Sequence, residues 1–168
     1  MATSQFGAVV QALAAKTVAA TTGYRLKGET ASGKTVTVYR GPENLGSSEP
    51  GDWVAIGYGG DGESAGTWDQ ETGPLAATAG RPRAETGQIR CLASVQTGNL
   101  DPLDSIDRCE AIVAAVETTL RADPTLGLVP PLAQLVAEMR GAGAVAWVTG
   151  PRGQRCEITF TVGYRARI

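Results

Sequence analysis

The residues most suggestive of chemistry lie in a glycine-rich stretch, residues 28–35 (GETASGKT), which fits the pattern G-x-x-x-x-G-K-[ST] at every position. In a phosphate-binding loop that pattern follows a buried strand and opens a helix. The helix's first amides and its dipole hold the phosphates, and the lysine reaches the outer ones. Here Tyr24-Arg25-Leu26-Lys27 comes before, and Val36-Thr37-Val38-Tyr39 after it alternates as a strand. No later apolar strand ends in an aspartate placed to hold magnesium. A glycine-rich turn before a strand accounts for the match. Residues 57–62 (GYGGDG) fit G-x-G-x-x-G after an apolar run, but Glu63-Ser64-Ala65-Gly66 begins no helix, so a dinucleotide would find no anion site.

Other constellations fail for equally physical reasons. Histidine is absent, which removes the commonest general base, the commonest metal ligand and every Ser-His or Cys-His pair. Asp104 and Asp107 fall in the first turns of a predicted helix, where capping and the helix dipole explain them. Asp61, Glu63, Asp69 and Glu71 offer oxygen ligands but lack the ordered spacing of a calcium loop. Cys91, Cys109 and Cys156 are far apart, form no C-x-x-C pair, and fall on apolar positions, which predicts buried free thiols. The sequence therefore points to no catalytic residue, no cofactor and no metal.

What remains is a scaffold, and its best-specified part is residues 86–126. A strand over 88–96 alternates around Ile89, Cys91, Ala93 and Val95. After a polar bend, Asp101-Pro102 reads as an N-cap followed by proline at the first helical position. The helix over 102–121 carries a stripe of Ile106, Cys109, Val113, Val116 and Leu120, and Asp123-Pro124 ends it. An earlier helix starts after Thr3 or Ser4, buries Phe6, Val9, Val10 and Leu13, and ends near Gly23. Gln11 and Lys16 interrupt this apolar run and no basic region precedes it, so it does not read as an export signal. Strands are predicted over 34–40, 52–58, about 133–140, 144–149 and from 154 to the C-terminus, with Gly141-Ala142-Gly143 separating the third from the fourth. Residues 59–87 show no period and read as a long loop or hairpin excursion, with Trp68 in its middle as a local anchor or a contact for a neighbour. With 168 residues, 42% hydrophobic and 19% charged, the expectation is one domain over 1–168. It is an α+β fold of two layers, a mostly antiparallel β-sheet with two α-helices packed on one face.

Charge is distributed unevenly. The net charge of −2 gives no global reason to bind nucleic acid or an anionic membrane. Between residues 43 and 80 there are acids at Glu43, Glu49, Asp52, Asp61, Glu63, Asp69 and Glu71 and no Lys or Arg. From Arg140 onward, Arg152, Arg155, Arg165 and Arg167 stand against Glu157 alone. Two solvated surfaces that differ would explain this. So would a minus and a plus face that meet when copies pack head to tail, with Glu43, Glu49, Asp61, Glu63, Trp68, Asp69, Glu71, Arg152, Arg155, Arg165 and Arg167 as interface residues.

The order of elements and several short phrases resemble the tail terminator proteins of long-tailed, non-contractile bacteriophages of actinobacteria. The phrases are Thr37-Val38-Tyr39-Arg40-Gly41-Pro42, Asp52-Trp53-Val54-Ala55-Ile56-Gly57-Tyr58, the helix ending Leu120-Arg121-Ala122-Asp123-Pro124-Thr125-Leu126-Gly127, and the strands after Gly141-Ala142-Gly143-Ala144. The resemblance spans nearly the whole chain and carries no catalytic signature. It implies a structural virion protein in the neck region of the tail, assembled in the host cytoplasm, that forms a hexameric ring on the head-proximal end of the tail tube. Its implied partners are itself, the major tail tube protein, head-completion or other neck proteins, and genomic DNA passing through the lumen without sequence-specific binding; no membrane is involved. Sheet edges and the long loop are the expected means of contact, by strand addition or by clasping a neighbour. The acidic residues are expected either to face DNA in the lumen or to meet the arginine-bearing terminus of the next subunit. The alternatives are another neck component, such as a stopper protein, or a nucleotide-binding protein using Gly33-Lys34-Thr35.

Overall fold

The computed structural model describes residues 4–21, 36–41, 51–58, 64–72, 83–97, 102–128, 135–150 and 153–167. The elements in chain order are α1 (Phe6–Thr21), β1 (Thr37–Arg40), β2 (Asp52–Ile56), β3 (Gly66–Thr72), β4 (Arg83–Thr97), α2 (Pro102–Ala122), β5 (Val136–Gly150) and β6 (Gly153–Arg167). The sheet runs β1-β2-β4-β6-β5, and β3 also pairs with β4. β1 lies parallel to β2, and every other described pairing is antiparallel. Both helices pack on one face, so the fold is the α+β arrangement expected.

β4 and β6 form the axis of the sheet. Their register sets Ile89 beside Val162, Cys91 beside Phe160, Ala93 beside Ile158 and Val95 beside Cys156. All eight side chains are buried on the side that the helices cover. Successive strand residues point to opposite faces, so this single register aims the odd residues of β4 from Glu85 to Val95 and the even residues of β6 from Cys156 to Ala166 at the core. α2 lays Cys109, Ile112, Val116 and Leu120 on that surface, and α1 adds Val9 and Leu13. Ile112, absent from the expected stripe, is fully buried, whereas Ile106 and Val113 lie at its margins. Burial of each such side chain contributes roughly 1.5–3 kcal/mol. The three thiols are free and buried, as expected. After α2, Leu126 adopts φ 54° and Gly127 φ 69°. The left-handed turn carries the Leu126 side chain back into the core, where it is buried.

The structure corrects the expected strands in three places. Of the loop and the hairpin excursion expected over residues 59–87, the described residues form the hairpin, and it adds a strand: β3 pairs antiparallel with the first half of β4 from Gly66↔Ile89 to Thr72↔Arg83. β4 consequently starts at Arg83 rather than residue 88. The two strands expected on either side of Gly141-Ala142-Gly143 are one, β5, with a register shift between Arg140 and Ala144. An unbroken β6 holds both halves in one ladder, so the extra residues form a bulge rather than a break. A Cβ on Gly143 would stand 2.8 Å from the carbonyl oxygen of Thr159, so the closeness of that approach depends on glycine. The phosphate-loop-like residues 28–35 lie outside the described residues; at Thr37, just beyond them, a strand begins and not a helix.

β2 and β3 share one edge of β4 end to end. Arg90 is the junction: its carbonyl accepts from the N–H groups of Gly57 and Tyr58, and its own N–H donates to the carbonyl of Ala65.

Candidate assembly surface

The buried polar groups hold the fold together. Glu85 is 0% exposed on the helix face of β4. Its carboxylate accepts from Ser4 Oγ (3.0 Å), the Gln5 N–H (3.0 Å), Gln70 Nε2 (2.7 Å) and Tyr164 Oη (2.7 Å). One side chain thus ties the start of α1 to β3, β4 and β6. Ser4 Oγ also accepts from the Phe6 N–H at 3.1 Å, which caps α1 as expected of Ser4. Burial alone would raise the Glu85 carboxyl pKa, but the hydrogen bonds from Gln70, Tyr164, Gln5 and Ser4 outweigh it and hold the group below its ordinary value. The Tyr164 hydroxyl is pushed upward, by burial first and then by donating to Glu85. Sequence reasoning missed Glu85 because it left the residue in the polar loop. The available signal was its parity, since Glu85 and Gly87 continue the Ile89, Cys91, Ala93, Val95 face.

A second buried link joins α2 to β2, where Arg108 is ion-paired with Asp52. A third, on the surface, joins the helices: Lys16 Nζ lies 2.7 Å from Asp123, whose carboxyl is lowered to about 2 by Lys16 and by Thr125. Burial pushes the thiol of Cys91 up to about 12 and those of Cys109 and Cys156 upward as well, so all three are held as unreactive thiols. Among the described residues no three His, Cys, Asp or Glu side chains gather as metal ligands, and no helix is long and apolar enough to cross a membrane.

The sheet face opposite the helices is divided. At one end Trp53, Ala55 and Leu92 form a second small core, flanked by Tyr39 and Tyr58. Arg155 belongs to this end, and its role is corrected here. It lies on the face expected, but it is only 6% exposed. Its guanidinium carbon sits 5.8 Å from the centre of the Trp53 ring and its Nη1 3.5 Å from Glu157. A cation stacked on an aromatic ring and shielded from water is a packing element, so Arg155 is not a free interface charge.

The other end of that face is exposed and carries four of the expected interface residues. β3, β4 and β6 run side by side there, and the register gives two rows: Asp69, Thr86, Arg165, and Glu71, Ala84, Arg167. All four charged residues are exposed. The acids and the arginines stand two strands apart on one surface, roughly 10 Å from each other. They do not form separate plus and minus faces. Arg140 lies on the same face and is ion-paired with Glu138. Glu43, Glu49, Asp61, Glu63 and Arg152 lie outside the described residues.

The sheet also ends in strands with aromatic side chains in solvent. On β3 Trp68 is 52% exposed, and on β5 Val145 and Trp147 are 48% and 43% exposed. Two recesses flank these strands. One, of about 370 Å³, lies between α2 and β5 and is lined by Leu120, Arg121, Ala137 and Met139 among others. The other, of about 200 Å³, is lined by Trp68, Asp69, Gln88 and Arg140 among others. Comparison with known proteins adds no assignment: no protein-family model and no curated protein matches the sequence.

Proposed function

We propose that this chain is a structural protein that assembles with copies of itself into a ring and caps the head-proximal end of a phage tail tube. The observation that carries this reading is the pairing of a rigid interior with open ends. Every buried charged group described above serves internal cohesion, while the strands β3 and β5, on opposite sides of the β4–β6 pair, present exposed tryptophans. Single exposed apolar residues are ordinary, but one aromatic side chain on each of two such strands suits head-to-tail packing. The order of elements, which resembles that of tail terminators, supplies the tube and the neck proteins as partners.

The mixed charge on the outer face favours one of the two uses expected for the acids. Asp69 and Glu71 share a surface with Arg165 and Arg167, two strands away, so these four residues have no net charge and make a poor lumen lining against DNA phosphates. They suit a protein neighbour, where alternating charges set register. Electron microscopy of polymerising tail tube protein tests the proposal. With this chain present, tubes should stop at shorter lengths and carry density at one end. Tubes of unchanged length with bare ends would refute it.

A further inference from the structure

We infer that copies join by strand addition, the edge of β5 that no described strand pairs with in one copy pairing antiparallel with the corresponding edge of β3 in the next, with Trp147 opposite Trp68. This inference rests on the ring reading and specifies its contact.

The hydrogen-bonding geometry of the two edges carries it. The Ala137 N–H donates to the carbonyl of Pro124 in the turn after α2, so it points away from β6. Alternate residues of an antiparallel strand face alternate edges, so Met139 also turns its peptide groups outward. β6 runs unbroken past the register shift, pairing Arg140 with Thr161 and Ala144 with Thr159. Beyond the shift the outward-facing residues are therefore Val145 and Trp147. At the far end, the Ala65 carbonyl accepts from Arg90 of β4, so Gly66, Trp68 and Gln70 are the residues of β3 that face away from β4. Their registers with Ile89, Gly87 and Glu85 put their side chains on the helix face. Val145 and Trp147, in register with Ile158 and Cys156, share that face. Joining the two edges therefore extends the ladder and keeps each face continuous. A copy added with the same strand order and the same face outward must run antiparallel at the joint, since β3 and β5 already run in opposite directions within one chain.

Charge and side-chain chemistry select the register. With Trp68 opposite Trp147, Gln70 meets Val145, Asp69 meets Ala146 and Glu71 meets Ala144. Across the bulge Glu71 is then the diagonal neighbour of Arg140, within reach of a long side chain. A register shifted by two residues toward the start of β5 sets Glu71 opposite Arg140 but loses the aromatic pair, and one shifted by four loses that pair and sets Glu71 against Glu138. The added copy leaves its own β5 free, so the contact propagates and can close into a ring.

Disulfide trapping tests this with the full chain in the presence of tail tube protein. The variant carries Trp68→Cys and Trp147→Cys; both positions are half-exposed, and the three native thiols are buried. Within one chain β4 and β6 lie between the two positions, and Trp68 is level with Tyr164 of β6 whereas Trp147 is level with Cys156, so three strand spacings across and eight residues along the strand put them roughly 30 Å apart. A disulfide needs its Cα atoms within about 7 Å, so any bridge must join two copies. Oxidation should give a ladder of multimers on a non-reducing gel, while Trp147→Cys alone gives monomer. Dimers from Trp147→Cys alone would overturn the proposal in favour of β5 pairing with itself. Absence of any cross-link would also overturn it. Native mass then separates the two failures: multimers without a bridge leave the ring reading standing, and monomers remove that reading as well.

Discussion

Glu85 shows what a buried charge contributes here. Its carboxyl is held below the ordinary value in the folded chain, so the unfolded chain takes up the proton more readily. The stabilisation is complete above the ordinary carboxylate value and is lost as pH falls through the lowered folded value. Glu85→Gln keeps the shape but removes acceptor capacity for four donors, and should cost about 1–3 kcal/mol at neutral pH. Urea unfolding of the two proteins at neutral and acid pH checks this, and the gap should narrow on the acid side. The pair Arg108–Asp52 makes a related prediction. Asp52→Ala leaves a buried guanidinium without its carboxylate and should cost about 3–5 kcal/mol. Asp52→Leu combined with Arg108→Met should cost clearly less in the same assay, since no charge is then stranded. At this scale the sequence was partly legible: the three buried thiols and the Ser4 cap follow from position and pattern. Glu85 was legible only through its parity with Ile89 and Arg155 not at all, because each charge is buried by contacts distant in sequence, from Gln5, Gln70 and Tyr164 in one case and from Trp53 in the other.

Among the elements, those with apolar periodicity were legible and those held by pairing alone were not. α2 ends at Ala122, one residue past the expected limit, because proline and the stripe both act locally. β3 (GTWDQET) buries almost nothing and shows no apolar alternation; only its ladder with β4 makes it a strand. β5 was read as two strands because its bulge carries glycines, whose local meaning is a turn until β6 is seen to span both halves. β4 extends back through Gly87, where a Cβ would stand 2.4 Å from the Tyr164 ring. Gly87→Ala should therefore cost about 1–3 kcal/mol through overpacking, more than an alanine usually costs in a strand. A thermal melt reads this as a lowered midpoint, and an unchanged midpoint would mean that the ring moves freely. Since Tyr164 also donates to Glu85, the variant and Glu85→Gln should be less than additive when combined.

The molecule as a whole has a firm interior and two open sheet ends. Covering both sheet faces at one end and leaving the terminal strands bare is costly for a monomer, since open strands invite pairing. On the proposed reading, copies that add head to tail would turn that liability into the assembly contact, with Trp68 and Trp147 at its centre. Of the charges expected on separate plus and minus surfaces, Asp69, Glu71, Arg165 and Arg167 share one mixed face, where on the proposed reading they would set register without a large net field. The measurement that tests the central claim most directly is the native mass of the chain, alone and with tail tube protein. Closed multimers of defined copy number, present at least when the tube is supplied, are the predicted result. A strict monomer that also ignores the tube would contradict it.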